Sequence, residues 1–163
     1  MHASDTVIES CTFGTGHGAS IGSLGMATAL RNITVRDSTF TGCTTALRIK
    51  ADNASSGYVT GVAYQNLAMQ GCGTTIDIGS TYPASGGDSA STLRISSLTF
   101  ANITSAQAGE AGSLLCSGLA PCTGLSMEGV THTPAPHKGW LCKNVQGKAQ
   151  GAVSPPLGGC LGI

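Results

Sequence analysis

The residues of this chain best suited to chemistry are a histidine between two glycines and a cationic pair one structural repeat later. The first lies in Gly16-His17-Gly18-Ala19-Ser20-Ile21-Gly22-Ser23-Leu24-Gly25, the second in Arg48-Ile49-Lys50. An imidazole gains or loses a proton near neutral pH. Two cations separated by one apolar residue lie on the same face of a strand, because strand side chains alternate. Arg48 and Lys50 therefore point outward together, with Ile49 buried between them. Fixed cations of this kind suit a ligand that carries carboxylates. With His17 in one coil of a repeating ribbon and Arg48 in the next, three polar groups share one flank and line a groove. The glycine run is not a phosphate loop, since no lysine follows it. Gly22, Ser23 and Gly25 are expected to form a tight corner.

Internal repetition supplies the ribbon. Val7-Ile8-Glu9-Ser10-Cys11-Thr12-Phe13 lies over Thr34-Val35-Arg36-Asp37-Ser38-Thr39-Phe40, and Phe40-Thr41-Gly42-Cys43 over Met69-Gln70-Gly71-Cys72. Leu47-Arg48-Ile49 falls on Ile76-Asp77-Ile78. Further copies are Val62-Ala63-Tyr64, Leu98-Thr99-Phe100 and Leu125-Ser126-Met127. Each holds short alternating stretches that send apolar side chains inward and polar ones outward. Gly and Asn stand between the stretches, where corners need residues tolerant of positive φ. Such a unit cannot bury its face alone, but stacked units share one core. The expected fold is all-β, a right-handed parallel β-helix truncated at its N-terminal end. An antiparallel sandwich explains the offsets poorly. One domain over 1–163 is expected, with 131–163 an irregular, disulfide-linked C-terminal tail or cap marked by Pro134, Pro136, Pro155 and Pro156. The Gly/Ser-rich stretch from Ser80 to Ser89 reads as a loop leaving the solenoid.

Composition narrows the function classes. Charged residues are 10% of the chain and the formal net charge is zero, so no long-range field favours nucleic acid or an anionic membrane surface. No apolar stretch is long enough to span a membrane. Seven cysteines favour an oxidising compartment, and none is spaced as a metal finger. Three glycosylation triplets, at Asn32, Asn53 and Asn102, point the same way. A secreted or extracellular location is expected. The first residues lack the apolar run of a signal peptide, so the address is expected upstream.

The ten residues around His17, the Arg48-Ile49-Lys50 triplet, Tyr82 and the C-terminal cysteines together resemble the polygalacturonases of glycoside hydrolase family 28. The resemblance runs from about Asp5 nearly to Cys160. It implies a β-helix that hydrolyses pectin at α-1,4-galacturonosyl linkages with inversion, at the cell wall, as a monomer and without cofactor or metal. It further implies that His17 orients or tunes the acid–base machinery, that Arg48 and Lys50 hold a galacturonate carboxylate, and that Tyr82 lines the groove. Cys116 with Cys122, and Cys142 with Cys160, resemble two bridges of the family. In that family the acid and base come from two aspartate motifs upstream of the Gly-His-Gly segment, and inversion needs both. This chain has no such motif, so the isolated chain is expected to hydrolyse negligibly.

Asp5, Asp37, Asp77 and Glu110 are scattered single carboxylates, and a surface or corner place is expected for each. Asp77, one coil beyond Arg48, reads as its ion-pair partner. His132 and His137 in the proline-rich tail are not assigned to the site. Cys43 and Cys72 occupy equivalent places in adjacent coils, either as a reduced pair or as a bridge, and Cys11 lacks a partner. The alternative function is a β-helix that holds oligogalacturonate without cleaving it.

Overall fold

In a computed structural model, residues 1–82 and 90–161 are described. They form strands β1 (His2–Glu9), β2 (Thr12–Phe13), β3 (Ala19–Leu24), β4 (Thr28–Thr41), β5 (Thr45–Asp52), β6 (Gly57–Gln70), β7 (Thr74–Tyr82), β8 (Arg94–Ala106), β9 (Glu110–Leu115), β10 (Cys122–Thr133), β11 (Lys138–Lys143) and β12 (Val145–Val153). Every pairing is parallel. One sheet runs β1-β4-β6-β8-β10-β12, with β2 also on β4; the other runs β11-β9-β7-β5-β3. The chain alternates between the two sheets as it climbs, which makes the fold a parallel β-helix, right-handed as crossovers between parallel strands are.

The sequence offsets become strand registers. Val7 pairs with Thr34, Phe40 with Met69, Leu47 with Ile76, and Leu98 with both Val62 and Leu125 by position in the ladder. Inward side chains consequently stack in rows, such as Val35, Tyr64, Phe100 and Met127, or Ile49, Ile78 and Leu114. All of these are buried. Each such side chain contributes roughly 1.5–3 kcal/mol on leaving water, and the rings of Tyr64 and Phe100 stack 5.3 Å apart.

The long strands of the first sheet are not flat. β4 bends at Asn32 and Asp37, whose φ values are 54° and 50°, and β6 bends at Gly61 and Asn66. Asn and Asp tolerate this left-handed region because their short polar side chains hydrogen-bond locally. Here they bond along the stack. Asn66 Nδ2 donates to Asp37 Oδ1 (3.0 Å), Asn102 Nδ2 to Asn66 Oδ1 (3.0 Å), and Asn32 Nδ2 to Asp5 Oδ1 (2.9 Å). Two of the three triplet asparagines, Asn32 and Asn102, thus commit their amide nitrogens to corner rows, while Asn53 lies exposed in the turn after β5.

The expected irregular tail differs from the structure. Residues 138–153 form β11 and β12, one in each sheet, so another coil stands where 131–163 reads as irregular. Prolines cannot donate to a ladder, and here they flank the strands instead of entering them: Pro134 and Pro136 precede β11, and Pro155 and Pro156 follow β12. Trp140 Nε1 donates to the Pro155 carbonyl at 2.9 Å, fastening the end of the chain to β11. Of the expected loop from Ser80 to Ser89, Ser80–Tyr82 belong to β7 and 83–89 lie outside the described residues. Disulfides join Cys43 to Cys72 across adjacent coils, Cys116 to Cys122, and Cys142 to Cys160, while Cys11 is a free thiol.

Candidate active-site cleft

The parallel register of the second sheet decides which polar groups meet. Ser20 of β3 pairs with Arg48 of β5, Arg48 with Asp77 of β7, and Asp77 with Ser113 of β9. Alternation places Leu47 and Ile49 fully in the core, so this row faces outward. Lys50 lies two residues along the same face. A cleft of about 160 Å³ opens there, lined by Arg48, Lys50, Asp77, Thr81, Tyr82 and Ser113 among others.

Arg48 Nε lies 3.1 Å from Asp77 Oδ2, with the two side chains 17% and 30% exposed. The Nε hydrogen does not point along that line, so the contact is ionic and not a hydrogen bond; Nε is otherwise buried without an acceptor. Ser113 Oγ donates to the other carboxylate oxygen of Asp77 at 2.6 Å. Asp77 is thereby held from both neighbouring strands. Lys50 Nζ stands 3.8 Å above the centre of the Tyr82 ring, a cation–π contact worth about 0.5–1 kcal/mol at an open site. Tyr82 is itself half exposed, so one edge of the cleft is an aromatic wall with an ammonium on it.

His17 is anchored through its neighbours. The Gly16 carbonyl accepts from both the backbone N–H and the hydroxyl of Thr44, each at 2.7 Å. A Cβ on Gly18, whose φ is +56°, would sit 2.1 Å from the Ala46 carbonyl oxygen. Only glycine fits against the next coil there. His17 is exposed in the bend before β3. Continuing the β3–β5 register puts it beside Thr45, three residues or about 10 Å along the strand from Arg48. Arg48, Lys50 and Tyr82 thus share the cleft; His17 stands on the adjoining coil, outside its lining.

Gly22 lies within β3 and is not part of a tight corner. Its φ is +136°, and a Cβ would meet the Lys50 carbonyl oxygen at 2.3 Å. The register shifts between Gly22 and Leu24, and the strand bulges where it passes the backbone of Lys50. The glycine requirement comes from close approach to the cation's own strand.

Ser113 is the cleft residue that sequence reasoning missed. The signal was faint, because Ser113 follows Asp77 by a longer repeat than the one linking Arg48 to Asp77. Among the described residues that line the cleft, Asp77 is the one carboxylate. No group of three or more His, Cys, Asp or Glu side chains close enough to hold a metal occurs among the described residues. No helix among them is long and apolar enough to cross a membrane.

Residues 2–153 match the family model described as glycosyl hydrolases family 28. The chain belongs to that family. An exopolygalacturonase of Zea mays is 35% identical over 158 residues, covering 90% of this chain and 38% of the relative. An endo-polygalacturonase of Pectobacterium carotovorum subsp. carotovorum is 43% identical over 93 residues, 57% of this chain and 22% of the relative. Endopolygalacturonase I from Stereum purpureum, solved in complex with two galacturonates, superposes with a TM-score of 0.68 over 91% of this chain and 47% of its own, at 20% identity. That likeness concerns the fold. The family 28 chain spans well under half the length of the two sequence relatives it matches.

Proposed function

We propose that this chain supplies the carboxylate-gripping part of a pectin-degrading glycoside hydrolase. Arg48 and Lys50 hold a galacturonate carboxylate, Tyr82 packs against the sugar ring, and His17 tunes proton transfer from the adjoining coil. The observation that carries this reading is the meeting of Arg48, Lys50 and Tyr82 in one cleft, from β5 and β7, on an outward face of a family 28 β-helix. The named activities of its relatives, exo- and endo-polygalacturonase, supply the substrate class. A cation bonded to a carboxylate contributes roughly 1.5–3 kcal/mol, and two such contacts per sugar acid make a selective grip. Three disulfides suit secretion into an oxidising space.

Hydrolysis with inversion needs an acid and a base on opposite sides of the glycosidic bond. Asp77 is engaged by Arg48 and Ser113 from the two neighbouring strands, a strut between them that is not free for either task. The second reading, binding without cleavage, therefore describes the 163-residue chain on its own. Cleavage is proposed for the whole protein, with the acid and base supplied outside this cleft lining. Calorimetric titration with a galacturonate oligomer, run beside a reducing-sugar assay on polygalacturonate, tests both parts. Saturable binding with negligible product release is expected; absence of binding would end the reading, and ordinary turnover would overturn the assignment of Asp77.

A further inference from the structure

Around the corner from the cleft, the first segments of β4, β6, β8 and β10 present a second outward face. Two rows cross it. Ala29, Tyr58 and Arg94 are register neighbours, as are Ser4, Arg31, Thr60, Ser96 and Thr123. The half-buried Tyr58 ring is thus flanked by Arg94 on one neighbouring strand and, diagonally, by Arg31 on the other. Both arginines are exposed. Ser96 Oγ donates to Thr60 Oγ1 at 3.0 Å, which joins two hydroxyls in the row beside that of the ring.

Two hollows meet at Tyr58. One, of about 560 Å³, lies between Tyr58, Arg94, Ser96 and the loop closed by the Cys116–Cys122 disulfide, whose Leu119 is 69% exposed and overhangs it. The other, of about 510 Å³, continues past Arg31 to His2. Among the described residues, no Asp or Glu lines either hollow. Asp5, the acid that feels the field of Arg31, is drawn below its ordinary range chiefly by the hydrogen bond from Asn32.

We infer that this face is a second saccharide-binding site, separate from the cleft, which takes an oligosaccharide of uronic acids. Tyr58 stacks on a sugar face, Arg94 and Arg31 take carboxylates on either side of it, the Thr60–Ser96 pair bonds ring hydroxyls, and Leu119 covers the C–H face. The charge is complementary and the ring is flanked by donors, as an acidic sugar requires. The choice of galacturonate as occupant rests on the reading of the cleft given above. A site of this kind would hold the polymer while the cleft works on a neighbouring stretch, raising its local concentration.

The test is amide NMR of the 163-residue chain titrated with a galacturonate oligomer and, separately, with an uncharged galactose oligomer of equal length. Expected are saturable shifts at Tyr58, Thr60 and Ser96 with the acidic oligomer alone, persisting in Arg48→Ala. Arg94→Ala and Leu119→Asp, both at exposed positions, are expected to weaken them at least fivefold. Shifts at Arg48 and Gly79 with silence at Tyr58 and Ser96 would overturn the second site and leave the cleft reading standing. The reverse pattern would overturn the cleft reading alone, and silence at both would overturn the two together. Equal shifts with the uncharged oligomer would overturn the assignment to an acidic sugar.

Discussion

Two polar rows climb this β-helix, and they are built on opposite plans. The corner row Asp37, Asn66 and Asn102 repeats one side-chain shape, one backbone conformation and one hydrogen-bond pattern from coil to coil. The cleft row Ser20, Arg48, Asp77 and Ser113 keeps the register but changes chemistry at every step. A repeated side chain in a solenoid satisfies a repeated structural need, here a left-handed bend whose polar groups bond to the coil below. A row that departs from the repeat while the backbone does not is free to serve a ligand. The corner row should matter to stability and the cleft row to binding.

The largest effect expected on that division is at Asn66→Ala. An alanine at φ 53° is strained by about 1–2 kcal/mol, and two exposed amide bonds add about 1 kcal/mol. A loss of roughly 2–3 kcal/mol in urea unfolding is expected, with affinity for a galacturonate oligomer unchanged. Asn66→Gly relieves the strain and should recover at least a third of the loss. An affinity change as large as the stability change would erase the distinction between the rows.

Next in size is Lys50→Ala, which removes one cation and its contact with Tyr82. About a tenfold fall in affinity at the cleft is expected, or about 1.4 kcal/mol, read from the amide shift of Gly79, with stability in urea lowered by no more than about 0.5–1 kcal/mol, the worth of the Tyr82 contact. A shifted midpoint with intact affinity would make Lys50 part of the scaffold.

His132 belongs to neither row. It is buried, with Nδ1 2.6 Å from the Ser154 carbonyl oxygen and Nε2 2.9 Å from Thr75 Oγ1. A carbonyl only accepts, so Nδ1 carries the proton and Nε2 accepts from the threonine hydroxyl. Burial lowers its pKa, opposed by the bond to Ser154. The folded state therefore holds fewer protons than the unfolded chain just below the ordinary value of about 6.5. Stability is fully present above that value and declines as pH falls from it toward the depressed folded pKa. Urea midpoints measured from pH 7.5 to 5 should fall in the parent and flatten in that range in His132→Gln. Equal slopes in the two proteins would remove His132 from the account.

The smallest effect expected is at Tyr64, whose hydroxyl is buried with no hydrogen-bond partner and whose pKa burial raises far above the phenol range. Tyr64→Phe keeps the stack on Phe100 and removes an unsatisfied group, so a gain of up to about 1 kcal/mol is expected in urea unfolding. A loss would mean that the hydroxyl is satisfied in solution.

The stacked rows explain what could be read beforehand. Val7 over Thr34, Phe40 over Met69 and Leu47 over Ile76 were visible because repeated aliphatics mark repeated coils, and these offsets are the registers of the sheets. Arg48 and Lys50 were legible because alternation alone turns both outward. The coil made by β11 and β12 was obscured because its strands are polar and its flanks hold four prolines, which punctuate the ladder without ending it. Gly22 carried no mark of its neighbour, since close approach to the Lys50 carbonyl is a property of the stack and not of the local sequence. Ser113 was hidden for a related reason, namely the change in repeat length between β7 and β9.

The most direct measurement compares two arginines of the same molecule. Arg48 lines the cleft against Asp77, whereas Arg36 lies on the first sheet and its Nε donates to Glu9 Oε2 at 2.9 Å, both side chains half exposed. Titration of the parent, Arg48→Ala and Arg36→Ala with one galacturonate oligomer, followed at the amide of Gly79 in the cleft, should show at least a tenfold loss of affinity there in the first variant and none in the second. Equal losses, or intact affinity in Arg48→Ala, would contradict the claim that the cleft row grips the sugar acid.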